Sequence, residues 1–122
     1  MKWTALIFAG FIAMPLWAGD LDKELADIQQ RWAEVQYQFP DDQKEKEFEA
    51  LAKDAEEFVA RYPEHAEPLI WQGIVLSTYA GAKGGLGALG LVKDARKALE
   101  AAMTINPGAL EGSAYTSLGS LY

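Results

Sequence analysis

Apolar residues recur along this chain at alternating steps of three and four. Leu21, Leu25, Ile28, Trp32, Val35 and Phe39 make one such series, and Phe48, Leu51, Ala55, Phe58 and Tyr62 a second. That period places the side chains on one face of an α-helix. Leu69, Gly73 and Leu76 keep the spacing further on, as do Ala95, Leu99 and Ala102. The pattern predicts helices over about 20–39, 42–62, 66–80, 90–104 and 110–122, with a glycine-rich loop over 80–90. Proline cannot extend a helix and disfavours the α region for its predecessor, so Pro40, Pro63 and Pro107 read as stops. Asp20 is placed to cap the first helix, and the run Asp42 to Glu45 resembles a capping box at the start of the second. The connection through Pro40 and Asp41 is short enough to demand an antiparallel hairpin.

The hairpin from Ala66 to Pro107 organises the rest. Small side chains at Ala95, Ala98 and Ala102 let a neighbouring helix come close, while Leu99 and Ile105 supply apolar bulk. Gly73 costs its helix about 1 kcal/mol relative to alanine. That is tolerable where another backbone approaches.

These positions resemble the tetratricopeptide repeat, a helix–turn–helix unit of 34 residues. Leu69, Gly73 and Leu76 match its first helix, with Gln72 departing where leucine is usual. Ala95, Leu99, Ala102 and Pro107 match its second. The pattern restarts at Tyr115, Leu118, Gly119 and Tyr122, and the stretch ending at Pro63 resembles the close of a preceding second helix. The spacing from Pro63 to Pro107 is 44 residues, about ten more than one repeat, and the excess falls in AGAKGGLGALG. The resemblance covers roughly residues 45 to 122. It implies an all-α fold of antiparallel helix hairpins stacked as a right-handed α-solenoid, with about five helices after an N-terminal signal segment. The first pair would be a divergent repeat or an N-terminal cap.

Residues 1–18 have the pattern of a secretory signal: Lys2, then no charge from Trp3 to Trp17, then Ala18 before Gly19. The run is short of the ~20 apolar residues of a membrane span. With no cysteine in the chain, cleavage with lipid attachment to a cysteine, disulfides and thiolate metal sites are excluded. Export of a cysteine-free chain fits a bacterial periplasm.

Removing 18 of 122 residues leaves 104, enough for one domain, 19–122, with a modest core. Charge is uneven. Residues 20–67 hold fifteen acidic and six basic side chains, and residues 68–122 hold three and four. Phosphate binding needs a basic footprint, so a nucleic-acid partner is not expected. The acidic half reads as a solvated helix face, with a basic partner as the alternative.

Catalytic chemistry is hard to assemble. His65 is the single histidine. It falls in a linker between prolines, and metal sites draw on several ligands. The pairs Asp41–Asp42 and Glu56–Glu57 are explained by helix starts and wet faces. Gly85, Gly87 and Gly90 spell GxGxxG. A dinucleotide site, however, needs that motif after a strand, and here a helix precedes it. The sequence therefore predicts no enzyme, no cofactor and no metal.

The resemblance implies a scaffold that binds a protein or peptide through the faces of its first helices. The corresponding positions are Glu67, Ile70, Ile74, Ser77 and Thr78, then Ser113, Thr116 and Ser120. Ile70 and Ile74 would give apolar contact and the hydroxyls would bond to a ligand's backbone. Ile70 and Ile74 can equally be core. The alternative is a periplasmic small-molecule-binding accessory, with the glycine loop as a lid over Trp71 and Tyr79. Leu118, Leu121 and Tyr122 are poor residues for a terminal repeat, so a longer array or a completing chain is expected.

Overall fold

The computed structural model describes the backbone of residues 15–121 and the side chains of residues 19–121. All but the last four residues of the expected signal segment lie outside the described residues, as does Tyr122. Five α-helices follow one another: α1 (Pro15–Gln38), α2 (Asp41–Arg61), α3 (Ala66–Lys83), α4 (Gly87–Ile105) and α5 (Ser113–Leu121), with a short helical turn at Ala109–Gly112 before α5. No strand occurs among the described residues, and the fold is all-α.

Ion pairs and hydrogen bonds set the register. Arg31 of α1 meets Asp54 of α2 at 2.7 Å, and Arg61 reaches back to Glu24, so these helices are antiparallel. Glu49 accepts from the Tyr79 hydroxyl and Glu45 pairs with Lys83, which sets α3 antiparallel to α2. Helix α3 touches each of the other four, whereas α2 and α4 do not touch. It is the shared wall of two apolar clusters. One joins Leu21, Leu25, Ile28 and Val35 of α1 to Phe48, Leu51 and Phe58 of α2 and Val75 of α3. The other joins Ala66 and Ile70 to Leu99, Ala102, Ala109, Ala114 and Leu118. Trp71 and Leu110 pack against both. Burying a side chain such as Phe48 or Phe58 contributes about 1.5–3 kcal/mol.

Gly73 is the tightest point between α3 and α4. A Cβ there would lie 2.5 Å from Leu99 Cγ and 2.7 Å from its Cδ2. The glycine makes room for a leucine side chain, not for another backbone. Ala95, Ala98 and Ala102 are buried along the same seam.

Several local expectations need correction. The glycine-rich loop over 80–90 is a turn of three residues, Gly84 to Leu86, because α3 runs to Lys83 and α4 begins at Gly87. Only Gly84 and Gly85 leave the region open to other residues, both at φ +66. The Gly84 N–H closes α3 by donating to the Ala80 carbonyl at 2.9 Å. The extra residues thus lengthen two helices. Asp20 lies inside α1, which is already helical at Pro15, and α2 starts at Asp41 after Pro40 with no side-chain cap.

The stops fall as the prolines dictate. Asn106 is extended and closes α4 with an N–H to the Ala102 carbonyl at 2.9 Å. Its Oδ1 accepts from the Gly108 N–H at 3.1 Å, a local turn that redirects the chain. Leu110, Glu111 and Gly112 then take left-handed conformations in succession, at φ +49, +58 and +78. For the first two, conformations that crowd Cβ against the carbonyl cost roughly 1–2 kcal/mol per residue. Leu110 packing into both clusters offsets this.

Candidate functional site

The first-helix face expected to bind a partner is largely used within the chain. Ile70 is fully buried among Ala66, Leu99 and Ala102, so it is core and not a contact residue. Ile74 is half-buried and packs on the same cluster. The Ser77 hydroxyl donates to the Gly73 carbonyl at 2.8 Å. Thr78 Oγ1 accepts from the Trp32 indole N–H at 3.1 Å and lies against the Ile74 and Val75 carbonyls. Ser113 donates to the Leu110 carbonyl and Ser120 to that of Ser117. Glu67 is half-buried, while Thr116 and Ser120 are exposed. The structure therefore does not gather these eight residues into one open polar surface. Apart from the Trp32 indole N–H that Thr78 accepts, each hydroxyl that bonds does so to its own or an adjacent turn, the habit of serine and threonine inside helices.

The aromatic pair of the small-molecule reading is also divided. Trp71 stacks edge-on with Trp32 at 5.7 Å, and Trp32 in turn meets Tyr37 at 5.9 Å. Tyr79 points to Glu49 at 3.3 Å. A three-residue turn is too short to fold over both. His65 is exposed, edge-on to Tyr62 at 6.2 Å. No group of three or more metal-binding side chains assembles among the described residues, and none of their helices is long and apolar enough to cross a membrane.

Two clefts remain. The first, about 540 Å³ between α1 and α2, is bridged by Arg31 with Asp27 and Asp54 and by Arg61 with Glu24. Burial works against the Arg31 charge, but Asp54 and Asp27 outweigh it and raise its pKa overall, so the guanidinium stays charged and engaged.

The second cleft is a groove of about 590 Å³ between α2 and α4, with α3 as its floor. It exists because α2 and α4 both pack on α3 without meeting. Leu69, Gln72, Leu76 and Tyr79 form the floor, with Ala52 on one wall and Leu91, Ala98 and Ala101 on the other. Glu49, Lys53 and Glu56 rim the α2 side, and Asp94 and Lys97 the α4 side. Leu69 to Tyr79 spans ten residues of helix, about 15 Å at 1.5 Å per residue. Burial, then the Glu49 carboxylate, raises the Tyr79 pKa above its usual value, so its hydroxyl stays neutral and donating.

Sequence reasoning missed this groove. Its signal was present as alanines on the outward faces of two helices, Ala52 and Ala101, at positions where a solvated helix carries charge. A groove with a mostly apolar floor, small walls and a mixed-charge rim can hold apolar side chains of a polypeptide and pair charges at its edges. Comparison with family models, curated proteins and solved structures finds no match to the chain.

Proposed function

We propose that this chain is a helical scaffold of tetratricopeptide-like construction that binds a polypeptide segment, and that the segment lies in the groove between α2 and α4. The observation that carries the reading is the groove itself: a mostly apolar floor about 15 Å long, walled by alanines, on a chain whose α3 spans between successive hairpins. Alternation of paired helices around α3 supports stacked hairpins. The pattern from Lys2 to Ala18 supports export. The first-helix face keeps a secondary part through Glu67, Ile74, Thr116 and Ser120; of the eight residues only Ile70 is fully buried.

The test uses fluorescently labelled amphipathic helical peptides of basic, acidic and neutral net charge, read by anisotropy against the full chain. At least one class should bind. Leu76→Lys on the floor should weaken that binding about tenfold or more, while Ala60→Lys, at an exposed position of α2 that does not line the groove, should not. No binding in any class, or equal binding by both variants, overturns the assignment.

A further inference from the structure

The outward face of α4 carries a second pattern. Leu86, the turn residue that leads into α4 in helical conformation, and Gly90, Asp94, Lys97, Ala101 and Ile105 of α4 follow steps of four, four, three, four and four, the spacing of one line along a helix. All six are exposed, Leu86 at 88% and Ile105 at 41%. The line is symmetric in chemistry about the midpoint between Ala95 and Arg96. Leu86 mirrors Ile105, Gly90 mirrors Ala101, and Asp94 mirrors Lys97. Large apolar residues answer each other at the ends, small ones further in, and opposite charges at the centre. Neither Asp94 nor Lys97 forms an ion pair within the chain among the described residues.

A two-fold axis brings each surface patch against its own copy. We propose that two copies of this chain pair through antiparallel α4 helices, with Asp94 of each against Lys97 of the other. Gly90 lies against Ala101, where the absence of bulk lets the helix axes approach to the short end of the usual 8–10 Å. Leu86 covers Ile105 at both ends. This accounts for the exposed Leu86, in the turn before α4, and the exposed Ile105, at its end, and for an unpaired acid and base between them. Asp94, Lys97 and Ala101 also form the α4 edge of the groove, so the second copy is a polypeptide seated along it. In that respect the inference rests on the groove being a polypeptide seat. A helix pair spanning 19 residues is about 28 Å long. That is a small interface, so association should be reversible and concentration-dependent.

Sedimentation velocity of the full chain should show a monomer–dimer equilibrium that weakens with salt. Asp94→Lys and Lys97→Asp should each weaken it about tenfold or more by setting like charges against each other, and the double exchange should restore it to within about threefold. The chain has no cysteine, so placed thiols report geometry without background. An equimolar mixture of Gly90→Cys and Ala101→Cys should give a mixed disulfide. Gly90→Cys alone should not, because in the paired register its two copies are displaced by 11 residues, about 16 Å, beyond the ~7 Å reach of a disulfide. Like pairs linking as fast as mixed pairs, or single charge reversals without effect, overturn the proposal. These measurements are separable from the peptide assay. A chain that binds peptides but yields no mixed disulfide overturns self-pairing and leaves the groove intact. A mixed disulfide without peptide binding makes the second copy the groove's occupant.

Discussion

Gly73→Ala is the sharpest probe of how α3 and α4 fit. In an exposed helix interior this change stabilises by up to about 1 kcal/mol. Gly81 offers that case within the same helix: it is exposed, and a Cβ there meets nothing within 4 Å. At Gly73 the new methyl would sit 2.5, 2.7 and 3.2 Å from three carbons of Leu99. Real contacts of a Cβ do not fall below about 3.0 Å. Leu99 is fully buried among Ile70, Ala102 and Leu118 and has little space to retreat into. Overpacking of this kind costs typically 1–3 kcal/mol. Set against the helical gain, the net is a loss of roughly 1–2 kcal/mol. Urea unfolding followed by tryptophan emission and far-ultraviolet circular dichroism should show a lower midpoint for Gly73→Ala and a higher one for Gly81→Ala, with unchanged slopes. Leu99→Ala alone should cost about 2–5 kcal/mol. In the double variant the added methyl occupies part of the vacated space, so the two losses should sum to more than the combined change. If Gly73→Ala stabilises as Gly81→Ala does, the close approach of the two helices is not as described.

Other outcomes are accessible with the same assays. Thr78→Val removes the acceptor of the Trp32 indole N–H. It should cost about 1–3 kcal/mol and shift the tryptophan emission, whereas a change in neither would disprove that bond. Glu111→Gly relieves an exposed residue at φ +58 and should stabilise by roughly 0.5–1 kcal/mol after the entropic penalty of glycine; thermal unfolding checks it. Tyr79 and Tyr62 have pKa values raised above the ordinary 10, Tyr79 by burial and then Glu49, Tyr62 by burial and then Glu24. The folded chain then holds these protons to higher pH than the unfolded one. Their contribution is complete below pH ~10 and is lost as pH rises through the folded values. Tyr79→Phe with Tyr62→Phe should therefore flatten the alkaline decline in stability, and an unchanged alkaline limb would refute it.

Helix identity was legible because the apolar stripes are long and clean. Leu21, Leu25, Ile28 and Val35 are buried as their spacing predicts, and so are Phe48, Leu51, Ala55 and Phe58. The seam of Ala95, Ala98 and Ala102 was legible for the same reason. The turn between α3 and α4 was not. Five glycines between Gly73 and Leu91 read as a loop, yet Gly81, Gly87 and Gly90 are helical. Each weakens its helix only modestly, and packing against α3 or α4 decides the outcome. The candidate face failed at Ile70 for a different reason. Its place was inferred from a repeat register, while its neighbours in space, Ala66 and Leu99, were set by how α3 lies on α4. The groove escaped notice because no single segment contains it. It arises from the separation of α2 and α4, which no local pattern encodes.

Trp71 and Leu110, each resting on both apolar clusters, bind the fates of the two halves. Neither half can open without uncovering a face of the same indole. The molecule should accordingly melt in a single step, and a probe reading only Trp71 would register fraying begun at either end of the chain.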